Sequence, residues 1–349
     1  MQARPATDKE RIVIFSRTEN GHRSSYIRFV SSLIPCRRGT IRDMIFSRAP
    51  VFFLMIEDSF ELYTAIALWR ACLGRRTAGI LMRPKPALEG RSVRLRIKRA
   101  MLKVLKRVPF VRTMTIVPFP VQPSFAAIAD DWIYDFQLWD LGEREREIIS
   151  VLPKGDAPPQ MDGLFSSVRG AGEGKPIVSA LGIQDRRKGF DIFARAFADD
   201  EQVRARFHFV SGGRVATDLQ PSADRLRNAG GFVIDRHVSD DELVELYAAS
   251  DVVWALYAAD YDQASGILGR AAQLGIPAIV RTGSLSHRLC EIEKLAHLDA
   301  SEQTLDRLSS FHPLRDEAAG RAVAARFRAI SVRHLNAALG LPVPEAGAR

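Results

Sequence analysis

Asp262-Gln-Ala-Ser-Gly-Ile-Leu-Gly-Arg-Ala-Ala-Gln-Leu-Gly-Ile-Pro-Ala-Ile-Val280 is the stretch whose reading decides the fold. It opens as a small-residue loop, 262–266, after the apolar run Val252-Val-Trp-Ala-Leu256. The spacing then predicts a helix over 267–274, a stop at Gly275 and a buried strand over 277–280. A strand–loop–helix–strand unit of this kind builds parallel α/β sheets. Ser265 and Gly266 fall at the helix start, where little side-chain bulk leaves backbone N–H groups free to meet an anion. Read alone, the same residues serve equally well as an ordinary N-cap.

Working outward, β and α signals alternate along all 349 residues, enough for two α/β domains. Strands are predicted over 11–15, 51–56, 78–82, 113–117, 177–181, 207–210, 232–235, 251–256 and 277–280, with a long final helix over 321–339. No G-x-G-x-x-G follows the first strand; instead the loop Asn20-Gly21-His22 stands at its carboxyl end, where open α/β sheets place ligands. Residues 153–174 are rich in Pro, Gly and Ser and read as a linker. The expected division is 1–152, linker 153–174, a second domain 175–315, and 316–349 crossing back to the first domain. Three dispersed cysteines give neither a disulfide framework nor a metal-ligand spacing. Neither a secretory signal nor a transmembrane run is visible, so a cytoplasmic location is expected.

The net charge of +9 is local. Between Arg83 and Arg112 eleven Lys or Arg stand against one acid, Glu89, a balance of +10. Apolar residues recur among them at helical spacing, with Arg94, Lys98, Arg99, Lys103 and Lys106 around them. Such a helix suits an anionic membrane surface. A nucleic-acid partner is not expected, because no aromatic interleaving or binding motif accompanies the charge.

From Ile177 to about Thr282 the chain resembles the retaining GT-B glycosyltransferases of the "glycosyl transferases group 1" family, which are similar to family 4 enzymes. The resemblance rests on Leu181-Gly182 followed by Arg187-Lys188-Gly189-Phe190-Asp191, on Ser211-Gly212-Gly213, on His237-Val238-Ser239-Asp240 through Tyr247 to Asp251, and on Gly275-Ile-Pro277. It implies two Rossmann-like, doubly wound domains facing each other across a cleft. It also implies transfer of a sugar, with retention, from a UDP- or GDP-sugar to a lipid-linked or polysaccharide acceptor at the inner membrane face, with no cofactor beyond that donor. Arg187, Lys188, Ser265, Gly266 and Ile267 would hold the donor diphosphate. Gly212, Gly213, His237, Val238 and Arg270 would lie at the nucleotide, and Asp262 and His22 at the reacting sugar, with Asn20 and Gly21 on the acceptor side.

The chain departs from the family at its signature of two glutamates separated by seven residues. Alignment on Gly275 puts Asp262 at the first and Arg270 at the second. A guanidinium cannot accept hydrogen bonds from a ribose diol; Arg270 is left to meet a phosphate or an internal acid. Arg270 is not expected to be catalytic, and Arg270→Glu is expected to be tolerated structurally, because the position lies on the first helical turn after the loop 262–266. No metal is expected, since cationic side chains and helix N-termini can do the phosphate work. An inactive GT-B-like partner subunit and a sugar-nucleotide epimerase are the rival readings.

Overall fold

The computed structural model describes residues 12–18, 22–151 and 163–343. Within these residues are two compact units, the first running to Phe136 and resuming at Arg326, the second spanning Gln137–Ala325.

The first unit carries six parallel strands, β1 (Ile12–Phe15), β2 (Cys36–Arg38), β3 (Val51–Phe53), β4 (Thr77–Leu81), β5 (Val111–Thr115) and β6 (Asp131–Trp132), in the order β2-β1-β3-β4-β5-β6. The second carries β7 (Ile177–Leu181), β8 (His208–Gly212), β9 (Phe232–Ile234), β10 (Val252–Ala255), β11 (Ala278–Arg281) and β12 (His297–Ala300), in the order β12-β11-β10-β7-β8-β9. Helices cover both faces of a sheet of this kind, so its central strands read as unbroken apolar runs. Alternation still sorts their side chains: Val178, Ala180 and Trp254 enter one core, and Ile177, Leu181 and Val253 the other. The strand order reverses between β7 and β10, and open α/β sheets bind ligands outside the carboxyl ends at such a reversal.

The division falls earlier than the composition suggests. Leu141, Ile148 and Ile149 pack against the core of the second unit, which draws the helix Glu143–Val151 into it. Leu164–Gly172, within the expected linker, is helical and buries Phe165 and Val168 in the same core. Residues 152–162 lie outside the described residues. The final helix is longer than expected, Glu317–Leu339, and belongs to the first unit from Arg326 on. There Phe327 stacks on Tyr134 at 3.9 Å, and Ser331 Oγ accepts from the Tyr134 N–H at 3.0 Å.

One buried cation organises the first unit. Arg70 is fully buried and meets no carboxylate among the described residues; its guanidinium donates to the carbonyls of Met44, Ser47, Ala49 and Arg76 and to Thr77 Oγ1 at 2.6–3.1 Å. Burial pushes its pKa down to about 10, which leaves it charged at neutral pH. Five donors in a rigid fork satisfy acceptors from two connections at once, which a lysine cannot do. Arg70→Met therefore strands several buried carbonyls, and we expect a loss of about 3–5 kcal/mol in denaturant unfolding. A loss below about 1 kcal/mol would show the carbonyls finding water instead.

A titratable clasp holds the final helix. His334 Nδ1 lies 2.8 Å from both Asp131 Oδ1 and the Trp132 carbonyl, and the hydrogen bond to Asp131 raises its pKa above the ordinary histidine value. A raised folded pKa gives stability that is complete below the unfolded value of ~6.5 and is lost as pH climbs through the folded value. Thermal unfolding of wild type and His334→Gln should differ most below the unfolded value of ~6.5 and converge as pH climbs through the raised folded value. A difference that grows with pH would refute the clasp.

Candidate functional site

Two loops meet at the reversal in the second sheet. After β7 the chain passes through Gly182 into a short turn, Arg186–Lys188, where Asp185 Oδ1 accepts from the Lys188 N–H at 2.9 Å. This turn lays the Lys188 ammonium back over the strand end. Nζ stands 3.1 Å from where a Cβ on Gly182 would be, and Ile267 Cδ1 stands 3.8 Å from the same point. Lys188 has no hydrogen-bond or ion-pair partner for its ammonium among the described residues. Burial holds its pKa below the ordinary lysine value, with Asp185 opposing.

After β10, Ser265 caps the helix Gly266–Gln273, its Oγ accepting from the Leu268 N–H at 3.2 Å and lying 2.9 Å from the buried Tyr257 hydroxyl. The N–H groups of Gly266 and Ile267 find no acceptor among the described residues. Their dipoles and the Lys188 cation thus converge at one strand edge, where an anion is favoured. Of the five residues expected at a diphosphate, Lys188, Ser265, Gly266 and Ile267 come together here. The Arg187 side chain is exposed, while its carbonyl accepts from the Ala258 N–H at 2.8 Å.

The expected nucleotide residues divide. Gly212 and Gly213 stand at the end of β8, the Gly182 N–H donating to Gly212 O at 2.8 Å. A Cβ on Gly213, whose φ is +136°, would lie 2.0 Å from Gly182 O, so only glycine lets the two loops touch. His237 is exposed at the same edge, and Val238 packs on the core. Arg270, by contrast, turns to an internal acid. Its Nη2 lies 3.2 Å from Asp140 Oδ1 and 3.3 Å from Oδ2, both side chains largely buried. Gln273 joins the pair, donating to Asp140 Oδ1 at 3.1 Å and Gln137 O at 2.8 Å while accepting from the Leu141 N–H at 3.0 Å. This network seats Gln137 against Gly266, where a Cβ would fall 1.2 Å from Gln137 Oε1.

Asp262 is engaged within the unit as well. Its Oδ1 accepts from the Leu285 N–H at 2.8 Å and lies 3.5 Å from Arg281 Nη2, the side chain being 8% exposed. Arg281 also donates to the Tyr257 carbonyl at 3.0 Å, and the sequence reasoning missed it. Its position directly after the apolar strand 277–280 was the available signal. Asn20 and Gly21 lie outside the described residues, as does the side chain of His22.

No family model and no curated protein matches the chain by sequence. Solved structures do resemble it. The Anabaena protein HepE, in complex with UDP and glucose, has a TM-score of 0.53 at 13% identity over 93% of this chain and 95% of its own. An α,α-trehalose-phosphate synthase (UDP-forming) from Burkholderia xenovorans has 0.52 at 9% identity over 90% and 81%. WaaG, a glycosyltransferase involved in lipopolysaccharide biosynthesis, has 0.49 at 14% over 92% and 94%. Two six-stranded parallel sheets, each in its own Rossmann-like unit, make the fold GT-B.

The burial of Arg270 corrects the expectation that a glutamate is tolerated there. Glu beside Asp140 places two carboxylates where burial already raises the Asp140 pKa, so Arg270→Glu should cost about 3–5 kcal/mol in unfolding free energy. In a double-mutant cycle with Asp140→Asn and Arg270→Gln, a coupling of about 1–3 kcal/mol is expected. Additive losses would mean that the pair is not an energetic unit.

Proposed function

We propose that the chain is a glycosyltransferase that moves a sugar, with retention, from a nucleotide-diphosphate sugar to a lipid-linked or polysaccharide acceptor at the cytoplasmic face of a membrane. One observation carries this reading: an ammonium and helix-start N–H groups that have no partner among the described residues face each other at the sheet's reversal point. Breaking a sugar–phosphate bond leaves negative charge on the departing diphosphate, and preorganised donors there stabilise the transition state. Lys188 supplies the cation, and Gly266 and Ile267 supply the backbone donors. Asp262 and His22 are proposed at the transferred sugar, with Asn20 and Gly21 beside the acceptor. The UDP and glucose held by HepE support a UDP-sugar as the first donor to try.

Lys188→Ala should lower kcat/KM by roughly two orders of magnitude, the scale of losing one transition-state donor. Thermal shift with UDP and GDP separately identifies the base, since a ligand at 100 times its Kd adds ~2.7 kcal/mol to apparent stability. Near wild-type transfer by Lys188→Ala would remove the diphosphate assignment. A stabilising nucleotide without transfer or hydrolysis of any donor sugar would instead identify a binding subunit.

A further inference from the structure

The basic helix of the first unit, Val93–Leu105, sorts its side chains in a way that charge counting did not reveal. Three of the cations expected to face outward are engaged with their own unit. Lys98 Nζ lies over the Phe60 ring at 4.9 Å, Arg99 donates to the carbonyls of Ala87 and Gly90 at 3.2 and 2.7 Å, and Lys106 donates to the Ala126 carbonyl. Leu102 and Leu105 fill the core beneath. What remains outside is apolar at its centre: Val93, Ile97 and Val104 are 70%, 58% and 49% exposed. Their spacing puts them on one stripe of the helix.

Cations flank that stripe. Arg96, Lys103 and Arg107 are exposed and have no hydrogen-bond or ion-pair partner among the described residues. Arg94 reaches only Glu61, at 3.7 Å, with both side chains mostly in solvent. The helix itself bears no acid. β-Branched residues weaken an exposed helix, so a row of them facing solvent calls for a partner that covers them. That partner must be anionic and must also take up apolar surface.

We propose that this face docks the protein on an anionic bilayer, the headgroup phosphates meeting Arg94, Arg96, Lys103 and Arg107 while Val93, Ile97 and Val104 enter the acyl boundary. A nucleic acid would use the cations but leave the aliphatic stripe in water; a bilayer satisfies both. No described helix is long and apolar enough to cross a membrane. Docking rests on the membrane-side acceptor proposed above.

The test is sedimentation of the full-length protein with phosphatidylcholine vesicles, with and without phosphatidylglycerol. Binding should require the anionic lipid and be lost in salt, since the Debye length falls from ~10 Å at 0.1 M to ~3 Å at 1 M. Each basic residue near the surface is worth about fivefold in partitioning, so reversing Arg96, Lys103 and Arg107 to Glu should weaken binding about 100-fold or more. Ile97→Ser with Val104→Ser should weaken it roughly tenfold, and Lys98→Met should leave it unchanged. Thermal unfolding at the wild-type temperature establishes that each variant is folded. Vesicle binding that survives the triple reversal overturns the proposal. So does equal affinity for a polyanionic RNA that ignores the two serine substitutions. Sugar transfer measured on a soluble acceptor fails or survives independently of vesicle binding, which keeps the enzymatic reading and the docking face separable.

Discussion

The buried ion pair between Arg270 and Asp140 is the constraint on which the site in the second unit depends. It is set one turn into the helix Gly266–Gln273 and grips the segment that enters the unit at Gln137. Gln273 extends the grip from the next turn, and Gln137 is thereby pressed onto the glycine that opens the helix. Rotating the helix about its axis would break the ion pair and the three hydrogen bonds of Gln273 inside a low-dielectric interior, each costly to leave unmade. The free N–H groups of the first turn are therefore aimed rather than loose. Arg270 thus fastens the helix from within and leaves the N–H groups of its first turn without an acceptor among the described residues.

Charge is used in three distinct ways in this molecule. Arg70 is buried without an acid among the described residues and is satisfied by neutral carbonyls, which tie two connections of the first sheet together. Arg270 is buried with an acid. Lys188 is desolvated with neither, although Asp185 stands near enough to oppose the shift in its pKa. The first two arrangements are complete in themselves. The third is not, and an incomplete arrangement at the carboxyl edge of a parallel sheet is what a ligand would complete.

Central strands were legible in the sequence because burial on both faces makes them apolar throughout: β7 occupies 177–181 as read, and β10 lies within 251–256. The strands that escaped notice are β2 and β12, which like β6 stand at sheet edges. Each is short and carries polar residues, Cys36-Arg-Arg38 and Asp131-Trp132 among them, since an edge strand has only one neighbour to pair with. At the site, the loop chemistry around Lys188 and Ser265 could be read from local signals. The partner of Arg270 could not, because Asp140 lies 130 residues away and nothing in its surroundings marks it as buried. The basic helix shows the same limit: composition revealed its charge, but only contacts separate Lys98 and Lys106, turned inward, from Lys103 and Arg107.

The depressed pKa of Lys188 has a thermodynamic corollary. Without a ligand, the ammonium surrenders its proton more readily than a solvated lysine does. An arriving dianion would restore the preference for the charged form. Association at alkaline pH would then draw a proton from solution, and affinity would fall as pH rises past the unliganded value. In buffers of different ionisation enthalpy the measured heat of binding would shift accordingly, so a single side chain that lacks a counter-ion makes the ligand equilibrium a proton equilibrium as well.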